Sequence, residues 1–291
     1  MLERGLKRNV YTILAFITPA LVLYLFFMWI PAVRAFYLSF FHWTGLGAKS
    51  FTGLDNYRFM LGNAVFRSSV KITVLYMLIN VPLQISTAYV IAYLLYLGVR
   101  GFKVFRFIYF MPVVLLTVAV GIVFDYFLSA HFGIFKPLFA SFGVEYRNPL
   151  AFADTALITA ILADWWKWLG TKIMLFYAGF QGMSLEVLEA ATIDGATGRK
   201  MFIHIILPLS WEILTMVIVL LVIGSLKVFN LLFVMTQGGP NGATEVLTIH
   251  LYRTAFGEMN FGVGNGIAVI LFILTFAITL LMRKTLRREV Y

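Results

Sequence analysis

Few residues in this 291-residue chain could do chemistry, and most of them interrupt long apolar runs. Lys227 stands between Ser225 and Asn230 in an otherwise apolar stretch. An ammonium at the centre of a membrane helix costs about 2.5–3.5 kcal/mol, so its presence there calls for a function. With Ser225 and Asn230 it offers a cation, a hydroxyl and an amide, which can hold a polar ligand but break no bond. Asp164 and Lys167 are three positions apart and spaced to pair on one helix face. Trp165, Trp166 and Trp168 surround them. Their rings could stack on a ligand, but packing and membrane-interface anchoring is the commoner use and the expectation here. Asn80 and Gln84 flank Pro82 and are expected to satisfy backbone groups that this proline frees.

Bond chemistry is poorly served. There is no cysteine, which excludes disulfides, thiolate catalysis and Cys-based metal sites. His42, His131, His204 and His250 lie far apart in sequence, so no metal site is expected. A nucleotide-binding P-loop needs G-x-x-x-x-G-K-[ST], whose amides cradle phosphates. The nearest string, Gly195 to Met201, lacks both the spacing and the final hydroxyl. The chain is expected to be no enzyme and to carry no cofactor of its own.

The elements that position these residues follow from composition. Of the residues, 61% are hydrophobic and 12% charged; a soluble domain carries about 45–50% and about 25%. Too little polar surface remains to cover a core, so the chain meets lipid. Six apolar runs are long enough to span a bilayer: 11–33, 72–97, 107–128, 155–180, 208–235 and 266–282. Pro19, Pro82 and Pro112 fall in or near them as tolerated kinks. The first run is longer than a signal-peptide core and lacks a small-residue cleavage pattern after it, so it is read as retained. No strand alternation competes. The fold class is all-α, a polytopic membrane protein of six transmembrane helices in one domain, 1–291.

The net charge of +10 does not point to nucleic acid, because the basic residues gather at the ends of apolar runs. Arg4, Lys7 and Arg8 precede the first run; Arg100, Lys103 and Arg106 lie between the second and third. Arg199 and Lys200 lie between the fourth and fifth, and Arg283, Lys284, Arg287 and Arg288 follow the sixth. Lys49, Arg58, Arg67, Lys71, Lys136, Arg147 and Arg253 are spread more thinly on the other side. The denser side is cytoplasmic by the positive-inside rule, which places both termini inside.

On that side the stretch 181–209, QGMSLEVLEAATIDGATGRKMFIHIILPL, predicts two short helices at an angle. Ser184 can cap the first, and Glu186 in its first turn suits the helix dipole. Asp194-Gly195 is a turn signal. A second helix from about Thr197 carries Met201, Phe202, Ile205 and Ile206 towards Pro208. Glu189-Ala190-Ala191, then Asp194-Gly195-Ala196, then Phe202, Ile205 and Leu207-Pro208-Leu209 resemble the cytoplasmic "EAA" loop of permease subunits of bacterial ATP-binding-cassette importers. Other strings resemble the branch that includes the maltose, glycerol-3-phosphate and raffinose permeases. These are 51–57 (FTGLDNY), Trp165 and Trp168 with 178–181 (AGFQ), 238–244 (GGPNGAT) and 251–256 (LYRTAF).

The resemblance implies a subunit of a binding-protein-dependent carbohydrate importer in a bacterial inner membrane. It implies that 184–207 forms coupling helices, with Glu189, Ala190, Ala191, Asp194, Gly195, Ile205 and Pro208 docking on the ATPase. It also implies that the fifth span lines the pathway, which makes Ser225, Lys227 and Asn230 candidate substrate contacts. The partners implied are a second homologous permease, two ATP-binding subunits that use ATP and Mg, an extracytoplasmic substrate-binding protein and membrane lipid. Gly262 and Gly266 form a GxxxG that permits close helix approach, though Gly264 between them also suits a flexible loop. A proton- or sodium-driven secondary transporter is the alternative. It predicts inverted repeats and a central titratable residue; no repeat is visible, and Asp125, Asp164 and Glu212 are the span acids. A membrane-embedded enzyme would need a nucleophile, an acid–base pair or a metal motif, and none is found.

Overall fold

The computed structural model describes residues 2–98 and 101–286. Arg100, Arg287 and Arg288 lie outside the described residues, as do the side chains of Arg4, Lys7, Arg8 and Lys103. The chain is helical nearly throughout. Helix α1 (Leu2–Tyr24) passes through a π-helical turn, Leu25–Trp29, into α2 (Ile30–Leu38). Strands β1 (Phe41–His42) and β2 (Ser50–Phe51) pair antiparallel, Phe41 opposite Phe51. Helices α3 (Asp55–Gly62), α4 (Ala64–Tyr96), α5 (Phe102–Val114), α6 (Thr117–Leu128), α7 (Phe135–Ser141) and α8 (Ala156–Gln181) follow. Next comes α9 (Leu185–Ile193). A continuous helical stretch is then built from α10 (Gly198–Lys200), a π-helical run Met201–Ile206 and α11 (Leu207–Leu209). Helices α12 (Trp211–Leu226), α13 (Asn230–Thr236), α14 (Leu247–Tyr252) and α15 (Phe261–Leu286) complete the chain.

Among the described residues, Thr12–Leu38, α4 and α15 are each long and apolar enough to cross a membrane. Two further apolar segments are bent. Helices α5 and α6 meet at 98°, and Gly198–Leu209 meets α12 at 71°. Helix α8 is about 39 Å long at 1.5 Å per residue, but it carries Asp164, Lys167 and Lys172. The expected straight runs 107–128 and 208–235 are therefore each broken. The first breaks at Leu115 and Leu116, whose ψ angles of 145° and 132° are extended. The second bends at Ser210, where α11 gives way to α12, and is interrupted again at Lys227–Phe229, between α12 and α13.

Contacts group the chain into two compact units, Met1–Asn63 with Leu251–Phe272, and Ala64–His250 with Ile273–Tyr291. In the first, the buried Asn56 amide donates to the carbonyls of Ser39 (2.8 Å) and Phe41 (2.9 Å), tying α3 to the start of the hairpin. Gly262 lies within α15, not in a loop. A Cβ there would strike the Phe41 carbonyl, while one at Gly266 would meet Met60 and Tyr57 of α3 at ordinary contact distance, so the GxxxG faces both the hairpin and α3.

In the second unit α4, α8 and α12 pack around a core that includes Ala88, Ala92, Phe176, Val217 and Leu226, all at or near zero exposure. Gly170 of α8 faces α5 so closely that a Cβ would strike the Tyr109 carbonyl and crowd Phe110 Cα. Backbone cannot yield as a side-chain tip can. Gly170→Ala should therefore cost about 1–3 kcal/mol, the usual scale of overpacking. A lowered thermal midpoint of the purified protein is the check, and an unchanged midpoint would contradict this packing.

Candidate functional site

A cavity of ≈ 320 Å³ lies in the second unit where α4, α8 and the α12–α13 break converge. Helix α4 presents Tyr76, Asn80 and Gln84 to it, and α8 presents Asp164, Trp168 and Lys172. Each set recurs at i, i+4 and i+8, the spacing that stacks side chains on one helix face. Lys227 and Asn230 line the cavity from the break between α12 and α13, and Ser225 from the last turn before it. Thr117, at the start of α6, also contributes. The three span-five residues singled out in the sequence are thus brought together.

A buried polar network forms one wall. Asp164 Oδ2 accepts from Asn80 Nδ2 (3.3 Å) and Gln84 Nε2 (3.2 Å). Asn80 Nδ2 also donates to Ser225 Oγ (3.2 Å), and Gln84 Nε2 to Asn80 Oδ1 (3.0 Å). Asn80 and Gln84 therefore serve Asp164 and Ser225 rather than backbone freed by Pro82, contrary to the sequence expectation. Gln84 Oε1 is buried and meets no donor among the described residues.

The expected Asp164–Lys167 pair is likewise not formed. Lys167 is 1% exposed and donates to the carbonyls of Pro112 (2.9 Å), Val113 (3.0 Å) and Leu115. An ammonium has three donors. Here each is matched to a carbonyl at the C-terminal end of α5, where the helix dipole is negative and its last carbonyls lack intrahelical partners. The three tryptophans part company. Trp165 donates to Thr87 Oγ1 (2.9 Å) and packs on the core, while Trp166 meets Phe124 with ring centroids 5.4 Å apart. Trp168 reaches the cavity, beyond the packing role expected of it.

The second candidate site is the loop after α8. Ser184 sits at the N-cap of α9 with an extended ψ of 122° but makes no side-chain cap bond. The helix closes with Ala196 N–H donating to Ala191 O (2.9 Å) and Gly195 N–H to Thr192 O (3.0 Å). This is the Schellman pattern, and it needs a left-handed residue at Gly195, whose φ is +82°. Gly195→Ala meets open space but carries the left-handed strain of about 1–2 kcal/mol. Hydrogen exchange at the Ala196 amide should quicken about tenfold if it reports local opening; unchanged exchange would refute the motif's dependence on glycine.

Glu189, Ala190, Asp194, Gly195 and Pro208 are exposed, Ile205 is half-buried and Ala191 is buried. Ala190, Ala191, Asp194 and Ile205 share a shallow groove of ≈ 450 Å³ with Glu186 and Val187, whereas Glu189, Gly195 and Pro208 do not line it. Ile193 projects at the tip, 85% exposed. Below the groove, Phe202 packs on Tyr93 and Tyr89 (centroids 4.7 and 5.5 Å), and Tyr89 packs on Phe176 and Phe180. Tyr89 OH and Ser210 Oγ lie 2.5 Å apart.

No protein-family model matches the sequence. The chain is similar to a probable ABC transporter permease protein, YurN, of Bacillus subtilis, with 31% identity over 274 residues that cover 92% of this chain and 94% of the relative. The chain belongs to the ABC transporter permease family. The trehalose/maltose transport system permease protein MalF of Thermococcus litoralis is 30% identical, with coverage of 92% and 91%. The crystal structure of a bacterial alginate ABC transporter, in complex with an alginate pentasaccharide-bound periplasmic protein, contains a chain of the same fold. Its TM-score is 0.84 at 19% identity, with coverage of 98% of this chain and 96% of that one.

The permease is thus a helical membrane protein with a polar cavity and an exposed hook in one unit. Sequence reasoning passed over Tyr76, Thr117 and Lys172 at the cavity. The i, i+4, i+8 stripes on α4 and α8 were the available signal. Among the described residues no cluster of three His, Asp or Glu side chains could hold a metal. Outside the two sites, the 238–250 segment is held together by buried groups. Thr244 Oγ1 donates to Gly239 O (2.7 Å), and the buried Glu245 carboxylate meets His250 Nδ1 (2.9 Å).

Proposed function

We propose that this permease forms half of the translocation pathway of an ATP-driven, binding-protein-dependent importer, and that its cargo is a carbohydrate. The observation that carries the reading is the joining, within one compact unit, of a polar cavity in apolar helices to an exposed, grooved hook. The trehalose/maltose transport relative supports a sugar, and amide, hydroxyl and ammonium groups at the cavity suit one.

The chain crosses a bacterial inner membrane six times, with both termini in the cytoplasm. The spans are Thr12–Leu38, α4, the bent pair α5 and α6, α8, α12 with α13, and α15. The tally needs α8 despite its three charges. Lys167 is hydrogen-bonded by carbonyls and Asp164 by amides, which replace water around each charge, while Lys172 faces the cavity. The 184–207 loop docks on the ATPase through Glu189, Ala190, Ala191, Asp194, Gly195, Ile205 and Pro208. A second homologous permease completes the pathway, two separate subunits hydrolyse ATP with Mg, and an extracytoplasmic binding protein delivers cargo. Ser225, Lys227 and Asn230 contact the cargo. Asp164 and Phe180 are sixteen positions apart on α8, so motion at the hook is carried about 24 Å to the cavity by rigid helix.

Purification with the neighbouring subunits and reconstitution into proteoliposomes test the proposal. Sugar uptake should require ATP and stop with vanadate. Uptake without ATP that an uncoupler abolishes would overturn it. Because the chain has no cysteine, a single cysteine at Ile193 reports orientation, and labelling by an impermeant reagent from outside the cell would refute the topology.

A further inference from the structure

We infer that the cavity takes an anionic carbohydrate, a sugar carrying a carboxylate or phosphate; this rests on the carbohydrate-import reading and narrows it. Two ammonium groups, Lys172 and Lys227, line the cavity against one carboxylate, Asp164. That carboxylate is turned into the wall, 7% exposed and bonded by the amides of Asn80 and Gln84. Lys167 does not line the cavity; its ammonium is held by backbone carbonyls at the end of α5. Lys227, by contrast, is exposed at the helix break; its backbone N–H caps α12, but its ammonium has no hydrogen-bond or ion-pair partner among the described residues. Lys172 lies over the Trp168 ring, 5.6 Å from its centroid.

The cavity therefore carries one surplus positive charge between apolar helices, where a charge interacts more strongly than in water. A neutral sugar would leave that surplus unbalanced. A carboxylate or phosphate would balance it through charge-assisted hydrogen bonds. Gln84 Oε1 adds the second requirement. It is a buried acceptor without a donor at the cavity wall, and a hydroxyl satisfies it. A ligand both anionic and hydroxylated meets both demands. The volume of ≈ 320 Å³ lies at the small end of the about 300–1,000 Å³ usual for small-molecule pockets, which suits one or two sugar units.

The test measures equilibrium binding to the assembled transporter in nanodiscs, together with ATP-dependent uptake. The probes are digalacturonate and its neutral methyl ester, and glucose 6-phosphate and glucose. At least one anionic probe should bind about tenfold or more tighter than its neutral counterpart, the scale of one charge-assisted bond. The pair that discriminates tells carboxylate from phosphate. Lys227→Gln should reduce the preference about tenfold. Lys172→Gln is a second, independent variant with the same expectation, and copurification of the ATPase subunits checks its assembly. Equal binding of charged and neutral partners, or no binding of either anion, overturns the inference. ATP-dependent uptake of neutral sugars without charge preference would sink it and leave carbohydrate import standing. The absence of ATP-dependent uptake of any sugar would sink both.

Discussion

Replacing Lys167 by methionine is expected to cost this permease about 3 kcal/mol or more of stability. Methionine fills much of the space of the lysine stem but supplies no donor. The carbonyls of Pro112, Val113 and Leu115 all accept from the ammonium, and among the described residues no other donor is seen on them at the 98° turn between α5 and α6 beyond the Leu115 N–H bond to Pro112 O. A buried acceptor left without a donor costs about 1–3 kcal/mol, so stranding even part of this set reaches the stated size. The negative end of the α5 dipole loses its counter-charge as well. The thermal midpoint of the purified transporter should fall by several degrees. Lys167→Arg, which keeps a charge and donors, should restore part of the loss. A methionine variant as stable and as active as the parent would show that the turn holds itself.

The second large effect concerns transmission. Phe202→Ala should leave ATP hydrolysis by the assembled transporter largely intact while uptake per ATP falls about tenfold. Phe202 belongs to the hook but packs on Tyr89 and Tyr93 of α4, and Tyr89 in turn packs on Phe176 and Phe180 of α8. Removing the ring deletes the hook's aromatic contact with α4 and, through Tyr89, its link to α8. A buried Phe→Ala change costs about 3–5 kcal/mol, and Phe202 is half-buried, so a loss near half of that is expected. Tenfold in a rate or equilibrium corresponds to about 1.4 kcal/mol. Phe202→Leu should retain most of the coupling. Hydrolysis and uptake measured on the same proteoliposomes give the ratio. A ratio unchanged in Phe202→Ala would place the transmission elsewhere, and loss of hydrolysis and uptake together would indicate failed assembly instead.

Both expectations turn on contacts that sequence spacing did not reveal. Lys167 stands three residues from Asp164, a spacing that permits an ion pair on an isolated helix. In the folded chain the neighbours decide. The residues in register with Asp164 at i+4 and i+8 are Trp168 and Lys172, which share its face towards the cavity, whereas Lys167 turns to α5. The same holds for Asn80 and Gln84. Their position beside Pro82 suggested a local backbone role, but helix α8 offered a buried carboxylate, a stronger acceptor than a neutral carbonyl.

What the amino-acid sequence determined by itself was the helical membrane class, the permease family through the 184–209 stretch, and the group Ser225, Lys227 and Asn230. Apolar run length, charge at run ends and an Asp-Gly turn are local properties, and local physics suffices to read them. Tertiary structure alone decided where the third and fifth apolar runs break, which of the α8 charges faces the cavity, and that Tyr76, Thr117 and Lys172 join the site. The reason is that an apolar environment leaves each polar group to find its partner within the protein. For Asn80 and Ser225 that partner lies on another helix, 145 positions away, where no periodicity along one helix can point to it.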